Sequence, residues 1–343
     1  MKKILIVLSM FLLIGCGYCK TVSNPDILTL FSSKSDSCNK VWIGTFQLVF
    51  NDMKNNIVKK DIVFEKERQT KELKGLNSEE FNSSMLNDSS YYKSYGETSF
   101  EARDKIKADL KEKFDTTSDI LDTLDWSKGY GKYYAYAMLK KEFEFLTPFD
   151  KLDEKSFNNS KEKYKFFGIK NDSKKELDDN VAVLFYNNKD DYAVRLYTTN
   201  GDIVYLYATD SNKDFKSLFN EMQKKSKKYK DERFFLSEDT LSIPDLKFKK
   251  ERKYTELCNK IIKDTPEMYF SDAIETIEFS LDNKGGKVKS EAAIMAKCMA
   301  LPMIGKNKPR HFDFDKTFVL FLIDKAKEDP YMALRVKDLK GLQ

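Results

Sequence analysis

The chain has 343 residues, 41% of them hydrophobic and 13% aromatic, a composition that supports a folded core and excludes a disordered protein. It carries 60 basic and 55 acidic residues, and Lys2 and Lys3 contribute to the net charge of +5. So weak a positive bias argues against a protein that grips nucleic acid along a groove, and the densest basic run, KKSKKYK at Lys224–Lys230, ends a predicted helix, where cations suit the helix dipole.

The first residues, MKKILIVLSMFLLIGC, place two lysines before an apolar run from Ile4 to Gly15. That run is too short to span a bilayer comfortably and has the proportions of a signal-peptide core. It ends in Leu13-Ile14-Gly15-Cys16, which resembles a bacterial lipobox, in which a small residue precedes a cysteine that is lipidated and becomes the new N-terminus. The expectation is a lipoprotein of the cell envelope, anchored through Cys16 and facing outside the cytoplasm, with 1–15 as signal peptide and 16–39 as a tether. The alternative is cleavage nearby, for example after Cys19, giving a soluble secreted protein. No later segment is long and apolar enough to cross a membrane. The other cysteines, Cys38, Cys258 and Cys298, show no metal-like spacing and read as isolated buried or free thiols.

Next come the predicted elements. VWIGTFQLVFNDM, Val41 to Met53, reads as a helix and KKDIVFEKE as a short strand, while Leu73 to Glu97 is polar, Ser/Asn-rich and reads as loop. Ser99 is placed to cap a helix ending at Phe114, with Phe100, Ile106 and Leu110 near one face. Tyr133 to Asp150 suits either strand or helix. Asn180 to Asp210 holds three β-rich runs separated by NNKDD and TTNGD, a meander. DFKSLFNEMQKKSKKYK is an amphipathic helix, LSIPDLKFKKE alternates like a strand, and KYTELCNKIIKD resembles a short helix. AIETIEFSLDNKGG alternates and ends at a glycine turn; His311 to Lys325 is an apolar strand and PYMALRVKDL the last one. Helices early and strands late favour an α+β fold, in one domain over 40–343.

Catalytic chemistry is hard to place. His311 is the single histidine and starts an apolar strand, so a structural role fits it best. No G-x-S-x-G nucleophile motif appears, and DNKGGK at Asp282–Lys287 lacks the glycine spacing and Ser/Thr of a phosphate-binding loop. Asp313 and Asp315 would share a strand face and read as a solvated pair. Neither an enzyme nor a cofactor or metal is expected.

One run stands apart. SEAAIMAKCMALPMIG, Ser290 to Gly305, has few charges and many small residues and methionines. As a strand, its alternate set Ser290, Ala292, Ile294, Ala296, Cys298 and Ala300 holds no charge, while Glu291 and Lys297 fall on the other face. As a helix, the same residues are good formers and Pro302 would end it. The flanks favour the first reading, because several elements resemble, in order, those of the serpin superfamily. FEARDKIKADLKEKF resembles the helix across the main sheet and LTPFD the end of a central strand. LSIPDLKFKKERKYTELCNKI and AIETIEFSLDNKGG are similar to the elements before the reactive loop, and FDFDKTFVLFLIDKAKEDPYMALRVKDL to the closing hairpin. The match runs from about Phe100 to the end and implies a multi-sheet serpin-like fold with a truncated or divergent N-terminal helical part.

The resemblance further implies a hinge at Ser290, Glu291, Ala292, Ala293 and Ile294, and a bait at Leu301, Pro302, Met303 and Ile304 that is cut after Met303. The partner would be a serine protease with an apolar specificity pocket, met by a monomer. The chain departs from the family pattern in four places. GKVK, Gly286 to Lys289, is extra; Ile294 and Met295 replace smaller residues; Ala137 and Glu275 stand where serpins use Asn and His beneath the opening sheet; Phe145 stands for a Trp. Two functions follow: protease inhibition, or a non-inhibitory surface lipoprotein with a binding or structural role.

Overall fold

A computed structural model describes residues 24–118, 120–129, 131–287 and 308–343. The chain begins with β1 (Asp26–Ile27), β2 (Lys40–Ile43) and helix α1 (Thr45–Asp52), which continues as a π-helical turn over Met53–Val58. Then come α2 (Lys71–Asn77), β3 (Tyr91–Glu97), α3 (Phe100–Phe114), β4 (Tyr133–Leu139) and β5 (Glu142–Glu144). The middle holds β6 (Asp150–Ser156), β7 (Lys163–Ile169), β8 (Val181–Asn188), β9 (Asp191–Tyr197), β10 (Ile203–Ala208) and α4 (Phe215–Lys228). The last part holds β11 (Thr240–Pro244), β12 (Leu246–Lys253), β13 (Ile274–Asp282), β14 (Gly285–Lys287), β15 (His311–Asp313), β16 (Phe318–Ile323) and β17 (Pro330–Val336).

The architecture is α+β with several sheets. A seven-stranded sheet runs β1-β2-β17-β16-β10-β9-β8; four-stranded sheets run β15-β11-β7-β6 and β12-β13-β14-β5; β3 and β4 form a ribbon. The seven-stranded sheet is the heart of the core. Every residue of FVLFLI in β16 and of PYMALRV in β17 is buried, because both faces of these strands are covered. On one face lies α4, whose Phe215, Leu218, Phe219 and Met222 recur at helical spacing and are buried. Phe219 meets Phe321 with ring centroids 5.2 Å apart. Among the described residues no helix is long and apolar enough to cross a membrane.

Local chemistry explains which expectations hold. Ser99 caps α3 by accepting from the Ala102 N–H at 3.0 Å, and Ile106 and Leu110 are fully buried beneath it. Asp214 caps α4 through the Ser217 N–H at 2.8 Å. The meander is β8, β9 and β10, joined as antiparallel neighbours.

Other expectations are corrected. Val41 to Met53 is not one helix: β2 pairs with β17, and α1 starts only after Gly44. KKDIVFEKE contributes a single bridge, Phe64 to Ile262, and KYTELCNKIIKD forms no α-helix but a 3₁₀ turn at Thr255–Leu257 followed by isolated bridges at Cys258 and Ile262. Leu73 to Glu97 is not all loop. It holds most of α2, capped by Thr70, and β3, whose polar sequence is tolerated because little of it is buried. Residues 24–39 are not a free tether, since β1 pairs with β2 and Ile27, Leu28 and Leu30 are buried. Cys38 is disulfide-bonded rather than isolated, while Cys258 is free. Asp313 and Asp315 do not share a strand face, because β15 ends at Asp313, which pairs with Lys155 at 3.1 Å.

Candidate functional site

The site is a slot within what would otherwise be one broad sheet. Strand β13 alternates sharply: Glu275, Ile277, Phe279 and Leu281 are buried, and Glu278 and Asp282 are exposed. Its partner β12 covers one edge along its whole length, from Leu246 opposite Leu281 to Lys253 opposite Ile274. Among the described residues, the other edge is covered only at the top, where β14 places Lys287 opposite Ser280 and Gly285 opposite Asp282.

On its far side β14 pairs with β5, from Gly285 opposite Glu144 to Lys287 opposite Glu142. Three residues therefore bridge two halves of the sheet. Both glycines are required there. A Cβ on Gly285, which has φ +154°, would come within 2.0 Å of the Phe143 carbonyl oxygen, and one on Gly286 would enter the Phe143 ring. The DNKGGK run is thus a sharp strand return and not a phosphate cradle.

Below β14 the halves separate. Among the described residues, no strand lies between β4 and β13. A cavity of about 1330 Å³ occupies this region, bounded by Tyr133–Leu139 of β4 on one side and Ala273–Glu278 on the other. Helix α1 and the π-helical turn after it supply the floor through Phe46, Val49, Phe50 and Met53. The sequence of β4 explains why it can stand at such an edge. Ala137 and Leu139 pack on the main core, while Tyr134, Tyr136 and Met138 join Ile106 and Leu110 of α3 in a separate apolar cluster. Helix α3 therefore holds β4 in place without closing the slot.

Two charged devices flank this region, one above the slot and one in its wall. At the top, Lys141 follows β4 and is buried, with its ammonium on Asp202 at 2.6 Å and on Asp324. Asp324 also accepts from the Asn87 N–H at 2.9 Å and the Ser90 hydroxyl at 2.8 Å. The trio joins the β4–β5 junction to the β9–β10 turn, the β16–β17 turn and the approach to β3. Burial raises the Asp202 pKa, whereas for Asp324 the cost of burial is outweighed by Lys141 and the Asn87 and Ser90 donors, which hold its pKa low.

Lower down, Glu275 lies on the inner face of β13. Its carboxylate accepts from Tyr254 Oη at 2.7 Å and from the Phe46 N–H at 3.2 Å in the first turn of α1. Burial nevertheless pushes its pKa up to about 7. Ala137 and Glu275, expected beneath the opening sheet, do line the same slot. Phe145 is buried at the top, 4.8 Å from Phe149 between ring centroids.

The remaining candidates fall elsewhere. His311 is exposed, and its Nδ1 lies 2.8 Å from Thr240 Oγ1. Among the described residues no group of three His, Cys, Asp or Glu is placed to hold a metal ion. The lipidation residue Cys16, the hinge Ser290, Glu291, Ala292, Ala293 and Ile294, and the bait Leu301, Pro302, Met303 and Ile304 lie outside the described residues. Sequence reasoning missed Lys141 and its two aspartates altogether. A lysine within KKEFEF carries no local sign of burial.

No family model matches the chain, and no curated protein matches it. Solved structures do. The chain is similar to Serpin48, a highly specific serpin of the insect Tenebrio molitor, at 12% identity and a TM-score of 0.43, over 88% of this chain and 75% of that one. It is also similar to thyroxine-binding globulin in complex with thyroxine, at 10% identity and a TM-score of 0.42, over 69% of this chain and 64% of that one.

Proposed function

We propose that the protein is an exported inhibitor of serine proteases, working as serpins do and held to a membrane by lipid on Cys16. One observation carries this reading: β14, the last described residues before the expected hinge, already runs back between β13 and β5, directly above the slot. A segment cut near Met303 would be free to continue that strand downward. Its entry would satisfy backbone groups along the facing edges of β4 and β13, and would make one sheet of two. The protease is the one whose apolar pocket takes Met303, with Leu301, Pro302 and Ile304 around it. The disulfide at Cys38 supports an oxidising compartment and hence export.

The test is incubation with an elastase-like or subtilisin-like protease. The expected products are a covalent complex resistant to denaturant and a cleaved form of higher Tm. Met303→Asp is expected to abolish the complex while leaving the fold intact. Clean cleavage with neither product would leave the non-inhibitory binding role instead. The anchor has its own test: Cys16→Ser is expected to move the protein from the membrane fraction to the soluble one. Unchanged retention would remove the lipid from the account.

A further inference from the structure

We propose that the lower part of the cavity binds a small amphipathic organic cation, with its apolar body on the floor over α1 and its charged head between two acidic lips. This role goes beyond protease inhibition and does not depend on it. The floor is apolar and incompletely covered. Phe46, Phe50 and Phe270 are buried there, but Val49 and Met53 beside them stay partly exposed. Small-molecule sites span about 300–1,000 Å³, so a cavity of about 1330 Å³ has room for such a ligand in one part of it. A hydrocarbon body lying on Val49 and Met53 would remove their remaining apolar surface from water. The floor is set back on α1, between β4 and β13, which admits a slender molecule and not the surface of a folded partner.

The charge of the lining selects the head group. Six acids line the cavity, Glu97, Asp125, Glu267, Asp272, Glu275 and Glu278, against two lysines. Both lysines are already engaged: Lys132 with Asp125 at 2.9 Å, and Lys128 with Glu101 at 3.4 Å. Lys249 stands 3.7 Å from Glu278. Among the described residues, Glu97, Glu267 and Asp272 have no ion pair. The chain as a whole carries a net charge of +5, so this acidic surplus does not follow from composition. Glu97 ends β3 on one lip, while Glu267 and Asp272 stand on the approach to β13 on the other. Each exposed carboxylate holds a cation only weakly, but a recess edged by one sign of charge concentrates cations and repels anions. Aromatic rings add to this selection. Tyr133 and Tyr269 are exposed at the lips, and Trp126 and Tyr134 lie within, 5.0 Å apart between ring centroids. Such rings attract an ammonium head. A carboxylate or phosphate head would find no free lysine among the described lining residues.

The experiment uses the full chain in detergent-free solution and two probes of one chain length, dodecyltrimethylammonium and dodecanoate, both kept below micelle-forming concentrations. The chain has two tryptophans, and Trp126 lines the cavity, so Trp42→Phe leaves a single reporter at the site. Calorimetry on the wild type gives the same affinities without that variant. The expected result is a saturable, one-to-one change in Trp126 emission with the cation and a rise in Tm, since a ligand of the folded state stabilises it. Dodecanoate is expected to bind about tenfold more weakly or worse. The variant Glu97→Gln, Glu267→Gln, Asp272→Asn is expected to lose about tenfold in affinity for the cation and to bring the two probes together. Met53→Lys, which sets a charge on the floor, is expected to remove cation binding. Equal affinity of the wild type for both probes, or a cation affinity unmoved by the triple variant, overturns the acidic lips as the head-group site. A fall in Tm, or no saturable binding of either probe, overturns the site altogether and leaves the cavity to be covered by protein.

Discussion

Lys141→Met is expected to destabilise the protein by about 3–5 kcal/mol, the scale of breaking a buried ion pair from one side. The substitution keeps the length of the aliphatic stem, so little packing is lost. What changes is charge: Asp202 and Asp324, both almost fully buried, lose the ammonium they share. The remaining donors, Asn87, Ser90, Asn200 and the Lys325 N–H, cannot replace it. The measurement is the urea midpoint at pH 7.5. The pH dependence gives a second check. Without Lys141, burial and mutual repulsion raise both carboxyl pKa values in the folded state above their unfolded values. Groups raised in this way take up protons on folding, so the deficit is expected to shrink as pH falls from 7.5 toward 5. The triple variant Lys141→Met, Asp202→Asn, Asp324→Asn is expected to recover part of the loss, because no buried charge is then left unpaired. A loss under about 1 kcal/mol for the single variant would mean that the trio is a surface-like pair of little consequence.

That trio also marks where sequence reasoning stops. Lys141, Asp202 and Asp324 come from three distant turns, and nothing in the sequence around any of them distinguishes it from the many exposed lysines and aspartates. Elements with a strong local period were legible: Ser99 and its helix, the three-stranded meander, and β13 with its glycine return. Elements shaped by their neighbours were not. Tyr133–Leu139 was ambiguous because both of its faces are covered, one by the main core and one by α3, which erases a clean alternation. The strand β2 was absorbed into a helix because all four of its residues are buried, and a short apolar run has no period of its own.

The candidate site divides in the same way. The uncharged alternate set from Ser290 to Ala300 was legible as a property of one contiguous stretch, which lies outside the described residues. The slot was not. Its walls, β4 and β13, are far apart in the chain, and only the fold sets Ala135 and Ala273 on the two sides of one gap.

Glu275→Gln is expected to stabilise the protein at pH 8, by up to about 4 kcal/mol. The wild-type carboxyl is buried and its folded pKa is pushed up to about 7. Unfolded, it titrates near about 4.3, and each unit of difference is worth about 1.4 kcal/mol. The sign follows from linkage. A carboxyl raised in the folded state costs nothing below its unfolded pKa. The cost grows as pH rises from about 4.3 toward the folded value near 7, and is full above it. Glutamine removes that cost. Its carbonyl can accept from the Phe46 N–H, and its amide can donate to Tyr254 Oη, so both contacts survive. Urea midpoints from pH 5 to pH 8 should therefore fall for the wild type and stay flatter for the variant; parallel profiles would show that Glu275 does not titrate in this range.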